Sequence, residues 1–319
     1  MPRAVIIGVT GQDGFYLTKL LAEYGYEIYG TSRFPEAADP ELFPLLKRLF
    51  TVDLTKIGQA AEVVLKCAPD EIYYLAAHHF SSQEGVKESE HWHDFLAVNV
   101  LSPRNILQVL SDFLPGSRFF YAASAHVFGI PPECPQTELT PMRPNTLYGI
   151  TKNMGVCLCR YYRDMKALYA CSGILYNHES PRRGLNFVTS RIARAAALSY
   201  LGESQPLRLL NLDAIVDWGA SQDCVQAMWL ILKQSQGDDF IISTGNGRTV
   251  REFAEAAFGC LGLRAESFIF QEQTGSTAKE RLPYIGDSTK IRNVCGWKSL
   301  IQFEEMVKNM VTHHVSSLS

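Results

Sequence analysis

The chain has 319 residues, 46% hydrophobic and 20% charged, and 30 Lys plus Arg against 33 Asp plus Glu leave a net charge of −3. That length fits one or two domains, and the composition is too apolar for a disordered chain. It lacks the basic excess of a nucleic-acid binder, and no apolar run approaches the roughly 20 residues that cross a bilayer.

Met1 to Gly8 runs straight into a strand pattern, so no signal peptide is expected and a cytoplasmic location follows. Ala4 to Gly8 reads as a buried strand, Gly14 to Tyr24 as a helix and Glu27 to Thr31 as the second strand. Leu49 to Val52, Glu71 to Leu75 and Arg118 to Tyr121 read as further strands, with helices between most of them. Such alternation predicts an α/β fold, a Rossmann-like doubly wound parallel sheet covered on both faces. Beyond about Ser180 the rhythm changes. Helices are expected at Phe187 to Leu201, Asp223 to Gln234, Val250 to Leu261 and Phe303 to His313, with a short strand at Asp239 to Ser243. Residues 1–180 therefore read as a nucleotide-binding domain and 181–319 as a smaller C-terminal α/β substrate lobe, with the chain free to cross between them more than once. The eight cysteines are scattered, without a CxxC pair, and read as reduced thiols; Cys157 and Cys159 should face different ways on one helix.

The segment Gly8-Val9-Thr10-Gly11-Gln12-Asp13-Gly14 links the first strand to the first helix. Glycines at this spacing permit a tight turn and close approach of the backbone to a pyrophosphate, which then sits at a helix N-terminus. A dinucleotide is the expected cofactor. At the end of the second strand, where an NAD site places an acidic residue, the sequence has Thr31-Ser32-Arg33, which favours NADP over NAD. A solvated surface Arg33 is the plainer alternative. Asp53 and Leu54 could bracket the adenine, and Leu75, Ala76 and Ala77 offer small residues near the nicotinamide ribose.

Tyr148 and Lys152 stand four apart, so they share one helix face. A phenol of ordinary pKa about 10 needs help to act as a base, and a neighbouring ammonium supplies it. Ser124 falls near the carboxyl end of the fifth strand, where a hydroxyl can share a hydrogen bond with substrate. His78-His79 follows the fourth strand, where it can approach the substrate or, with Ala76-Ala77, lend backbone contact to the cofactor, and His91 and His93 sit near a helix start. No carboxylate or thiol at ligand spacing joins them, so no metal site is expected.

Together Gly8, Gly11, Gly14, Ser124, Tyr148 and Lys152 resemble the extended short-chain dehydrogenase/reductase family over essentially the whole chain. Within it the sequence is most similar to the GDP-mannose 4,6-dehydratase family. The similarity is carried by the Gly8–Gly14 motif, by Asn177-His178-Glu179-Ser180-Pro181-Arg182-Arg183-Gly184, and by Phe187-Val188-Thr189, Asn211-Leu212-Asp213-Ala214, Asp217-Trp218-Gly219 and Gly286-Asp287. The resemblance implies an NADP-dependent enzyme acting at C4 of a nucleotide sugar, with GDP as the expected nucleotide. Tyr148 would be the general base, Lys152 its electrostatic partner and Ser124 the hydroxyl anchor. Thr10, Gln12, Asp13, Tyr148, Lys152, His178 and Arg183 would join the three glycines on the cofactor, and Asn177, Val188 and Arg191 would line the sugar-nucleotide site. His178 as a structural histidine at a loop turn is the alternative. A homodimer built on the Tyr148 helix and the helix near Asp94 to Leu110 is also implied.

The pattern breaks at three places. The family has Glu two residues after its catalytic Thr or Ser, and His126 stands there. Elimination of water needs a base at C5 and an acid at C6, so His126 is either an altered proton shuttle or a sign that dehydration is lost. The family's Arg before Asp-Trp-Gly is Val216, and its Arg-Pro-x-Glu segment reads Thr277-Ala278-Lys279-Glu280. Lys279, Arg281 and Arg208 are the cations left for a diphosphate. The loop after Arg33 also lacks the second Arg and the Ser run that support tetramers in many relatives. A 4-reductase or 4-epimerase would need Tyr, Lys and Ser but no C5 base. A non-catalytic NADP-sensing protein would need neither Tyr148 nor Lys152.

Overall fold

A computed structural model of the chain describes residues 1–80, 87–203, 206–272 and 282–319. The chain opens with β1 (Arg3–Ile7), α1 (Gln12–Glu23), β2 (Glu27–Ser32), β3 (Arg48–Thr51), α2 (Gln59–Cys67) and β4 (Glu71–Tyr74). A helix then runs from α3 (Trp92–Leu96) through a π turn at Ala97–Leu101 into α4 (Ser102–Phe113), followed by β5 (Arg118–Ser124), α5 (Leu147–Lys166) and β6 (Tyr169–Leu175). Next come β7 (Asn177–Glu179), α6 (Val188–Tyr200), β8 (Leu207–Leu209), β9 (Ile215–Ala220), α7 (Ser221–Ile231) and β10 (Asp239–Ile242). β11 (Gly247–Thr249), α8 (Val250–Gly259), β12 (Ile269–Gln271), α9 (Thr289–Cys295) and α10 (Phe303–Leu318) complete the order.

Seven parallel strands form one sheet in the order β10-β6-β5-β4-β1-β2-β3. Both faces are apolar, as a fully covered parallel sheet requires. On β5, Phe119, Tyr121 and Ala123 join one core with Ile106, Leu107, Leu110 and Val156. Its alternate residues Phe120 and Ala122 join a second core with Leu17, Leu21 and Met228. Each fully buried Phe contributes about 1.5–3 kcal/mol, so the central strand is fixed from both sides. The order in which strands are added reverses between β1 and β4, and ligands of such sheets bind in the crevice at that switch point.

A third core holds the smaller lobe. Ile192, Ala193 and Ala196 of α6 pack with Trp218, Phe253, Phe258, Met306 and Met310. β11, β9 and β7 form a three-stranded sheet beside it. β10, expected as a short strand beyond residue 180, lies at the edge of the large sheet against β6. The chain thus returns to that sheet after entering the lobe. β6 carries little strand signal in the sequence, because Ala170, Ser172 and Gly173 have low β-propensity; pairing on both sides and burial override it. Cys157 is exposed and Cys159 buried, as their spacing predicts, and all eight thiols are free.

Candidate active site

β1 ends where Gly8 takes φ +91°, and a Cβ there would stand 3.0 Å from the backbone of Ala76 beyond β4. Only glycine fits this crossing of β1 and β4. Gly14, in the first turn of α1, leaves no room for a Cβ either, since one would lie 2.5 Å from the carbonyl oxygen of Val9. Gly11 is the N-cap of α1 and supplies no side-chain cap, so the helix's first N–H groups and its dipole are open to an anion. Thr10 Oγ1 lies 3.0 Å from Ser32 Oγ and ties the turn to the end of β2. Gln12 and Asp13 reach across to β7: Gln12 Nε2 donates to the His178 carbonyl at 3.0 Å, and Asp13 Oδ2 meets His178 Nε2 at 2.8 Å. Asp13 Oδ1 is buried without a partner. Burial works against the Asp13 carboxylate, but His178 beside it outweighs that and holds its pKa below the usual range; Asp13 in turn raises His178.

Tyr148 and Lys152 lie in the first two turns of α5, whose N-cap Thr146 accepts from Gly149 N at 3.0 Å. Lys152 is buried, donates to the Ala122 carbonyl at 2.7 Å, and lies 5.8 Å from the centre of the Tyr148 ring. Burial depresses its pKa to about 7. The spacing predicts that the Lys152 ammonium lowers the phenol; instead burial dominates and pushes Tyr148 up to about 12, opposed by a hydrogen bond with Ser124 and by the charge of Arg183. Ser124 is the last residue of β5, and its Oγ accepts from His126 N at 3.3 Å.

These groups line one cavity of about 620 Å³ at the carboxyl edge of the sheet. Of the residues singled out in the sequence, Gly8, Gly11, Gln12, Asp13, Gly14, Leu75, Ala77, Ser124, His126, Tyr148, Lys152, Asn177, His178, Arg183 and Val188 line it. Thr10, Arg33, Asp53, Leu54, Ala76 and Arg191 lie outside its wall. Arg33 is exposed at the end of β2, its guanidinium 4.6 Å from the centre of the Phe34 ring. Asp53 is held by Thr55, whose Oγ1 donates to it at 2.7 Å. Arg183 covers the Phe187 ring at 3.5 Å, with its Nε 3.1 Å from Glu179 Oε2 but without hydrogen-bond alignment. Arg208 is exposed on β8, and Thr277, Ala278, Lys279, Glu280 and Arg281 lie outside the described residues.

Glu88, Thr146, Asn186 and His79 also line the cavity. Glu88 carries no sequence signal, because it meets Tyr148 only through the fold: its Oε2 accepts from Leu147 N at 2.9 Å. His79 sits edge-on to Tyr148 at 4.5 Å and stacks on Phe187 at 5.8 Å, with its pKa held at about 4 by burial and by neighbouring His126. Burial also lowers His126, while Glu88 raises it. Asp94, three residues after His91, joins His78 and His91 with the three ligand atoms within 4.8 Å of one another, contrary to the expectation that no carboxylate accompanies these histidines. Tetrahedral zinc needs about 3.4 Å between ligand atoms at bonds of about 2.0–2.1 Å. The spread suits a histidine–carboxylate pair, His91 Nδ1 lying 3.7 Å from Asp94 Oδ2.

A family model described as GDP-mannose 4,6 dehydratase matches residues 5–310. The chain is 37% identical to GDP-mannose 4,6 dehydratase 2 of Arabidopsis thaliana over 97% of its own length and 85% of the relative's. It is 34% identical to GDP-mannose 4,6 dehydratase of Homo sapiens, over 97% and 90%. The structure of RMD from Pseudomonas aeruginosa complexed with NADPH superposes with a TM-score of 0.82 at 20% identity, covering 99% of this chain and 100% of that one. UDP-glucose 4-epimerase of Thermus thermophilus, complexed with NAD, gives 0.82 at 19% identity over 98% of both chains. At such identities the two structures establish the shared fold. Among the described residues no helix is long and apolar enough to cross a membrane.

Proposed function

The chain belongs to the GDP-mannose 4,6-dehydratase family, and from that premise we propose that it binds NADP(H) and oxidises a GDP-hexose at C4, with Tyr148 as the base. The observation that carries this reading is one cavity shared by the Gly8–Gly14 turn and the Ser124, Tyr148 and Lys152 side chains.

The residues fit a dinucleotide. The start of α1 has no side-chain cap and, with Gly8, Gly11 and Gly14, opens on the cavity, and the buried Asp13 Oδ1 lacks a partner. Gly8, Gly11, Gly14, Gln12 and Asp13 would hold the pyrophosphate end, with Ala77, Lys152, His178 and Arg183 around the nicotinamide. Arg33 favours the 2′-phosphate of NADP over NAD. Asn177 and Val188 would face the nucleotide sugar, with Arg191 one turn farther along α6. A bound nicotinamide supplies the hydride acceptor for the C4–H bond.

Tyr148 accepts the proton of the C4 hydroxyl. Burial keeps the phenol protonated in the resting site, so ionisation depends on the groups that stabilise phenolate, Ser124 and Arg183. Lys152 stays anchored to Ala122 O beneath the ring, where its pKa near 7 lets it release or take up a proton at neutral pH. A 4-reductase reading has one observation in its favour, the imidazole of His126 where relatives carry a carboxylate. Leu101 at the end of the π turn and Phe113, Met154 and Tyr161 of the neighbouring α4 and α5 are exposed apolar side chains, which supports a homodimer paired through these helices.

The test is incubation with GDP-, UDP-, CDP- and dTDP-sugars, with products identified by mass and NMR. Turnover of a GDP-hexose, lost by about 10²–10⁴ in Tyr148→Phe, is expected. Turnover of another nucleotide sugar alone, or activity surviving Tyr148→Phe, contradicts the reading.

A further inference from the structure

His126 is the second residue of a turn (Ala125–Phe128) directly after Ser124, and its imidazole faces Tyr148 at 5.6 Å and Tyr284 at 5.7 Å between ring centres. Its carbonyl packs on α5 so closely that a Cβ on Gly149 would lie 2.5 Å from it. Glu88 opens the turn Glu88–His91, on a different part of the chain, and is referenced to the same helical turn through the Leu147 N–H. That N–H has no partner within the helix, and a carboxylate there also suits the helix dipole. Both side chains line the cavity that holds Tyr148. The first turn of α5 thus brings together three groups from separate segments: a phenol, an imidazole and a carboxylate.

Resting on the C4-oxidation reading above, we propose that Glu88 is a positioning residue for His126, and that the two together replace the carboxylate that relatives carry two residues after Ser124. Once C4 is a ketone, the C5 proton is acidic. His126 takes that proton through a ring nitrogen, the C5–H pair becomes the C5=C6 double bond, and the C6–O bond breaks. The same proton leaves with the C6 oxygen as water, so His126 ends neutral and no other reactant is consumed. Burial keeps the resting imidazole neutral and ready as a base, while Glu88 opposes that effect and stabilises the imidazolium that forms. His79, Lys152 and Arg183 line the same cavity; pKa values of about 4 and 7 keep the first two largely neutral above neutral pH, while the Arg183 guanidinium lies against Phe187 and Glu179. Asp13 is paired with His178, and Glu88 is the carboxylate whose charge bears on the proton that His126 acquires.

Deuterium uptake at C5 of GDP-4-keto-6-deoxymannose in D2O tests this, because exchange beside an existing ketone needs no hydride transfer. Glu88→Gln retains an oxygen to accept from Leu147 N–H but removes the charge, so a loss through helix capping alone would not appear. We expect wild type to exchange C5 rapidly, His126→Gln to lose exchange, and Glu88→Gln to slow it roughly 10- to 100-fold, beyond any change in Kd for the nucleotide sugar. The acid limb of the rate profile should move to lower pH in Glu88→Gln, since the histidine loses the group that raises its pKa, and Glu88→Asp should recover part of the rate. Wild-type exchange rate and an unmoved profile in Glu88→Gln overturn the pairing. Absence of C5 exchange in wild type overturns His126 as the base. Formation of NADPH from NADP+ and GDP-mannose in His126→Gln, where blocked elimination leaves the hydride on the cofactor, followed separately at 340 nm by stopped flow, reports whether the C4 reading itself stands.

Discussion

The turn between β1 and α1 and the pocket around Tyr148 open on one cavity, yet they are assembled differently. The first is a single stretch, Gly8 to Gly14, whose backbone does the work and whose spacing is dictated by close contact with Ala76 and Val9. The second draws Ser124 from the end of β5, His126 from the turn that follows it, Tyr148 and Lys152 from α5, His79 from beyond β4 and Glu88 from the turn before α3. Backbone sites are rigid and local, and side-chain sites can exchange members as long as the same space is served. That difference fits the proposed reading, in which the Gly8–Gly14 turn matches the expected nucleotide motif while His126 stands where the resemblance leads one to expect a carboxylate.

The contrast breaks most readily at Gly14. A Cβ placed 2.5 Å from a backbone oxygen cannot be relieved by turning a side chain, so Gly14→Val should abolish dinucleotide binding in calorimetry, a loss of 10²-fold or more, roughly 3 kcal/mol. Binding within a few-fold of wild type would show that the turn is less rigid than described. A smaller effect is expected at Arg33, which is exposed and outside the cavity wall. Arg33→Ala should weaken NADP(H) by about 10-fold and leave NAD(H) unchanged, as expected for one lost charged phosphate contact; equal losses for both cofactors would remove the 2′-phosphate assignment.

The smallest effect sharpens the chemical end. Lys152 has a folded pKa near 7 against an ordinary value of 10.5, so the folded state holds a penalised ammonium at low pH. The penalty is full below pH 7, fades as pH rises and is gone above the unfolded value. Lys152→Met should therefore raise Tm by several degrees at pH 6, less at pH 9, while removing activity. Thermal melts at both pH values check it, and a destabilised variant at pH 6 would contradict the buried-cation account.

Sequence pattern reveals the large sheet and the β1–α1 turn because each is local: strand periodicity, glycine spacing and the helix that follows. It also places Ser124 within reach of Tyr148, since β5 ends at that residue. Glu88 stays hidden, because what matters is that Leu147 N–H lies beside it in space, whereas His79 is placed near the site by its position after β4 and only its packing on the Tyr148 ring is new. Lys152 teaches a related point. Four-residue spacing puts it on the face of Tyr148, but only the folded chain shows that Ala122 O holds the ammonium and that burial, rather than this pair, sets the phenol's pKa.

The central claim, bond breaking at C4 with Tyr148 as base, is tested most directly with GDP-mannose deuterated at C4. Mass and NMR of the nucleotide sugar after incubation with NADP(H)-loaded enzyme should show deuterium leaving C4 in wild type and remaining there in Tyr148→Phe. Product that retains both deuterium and the original configuration at C4 in the wild-type reaction would contradict the account.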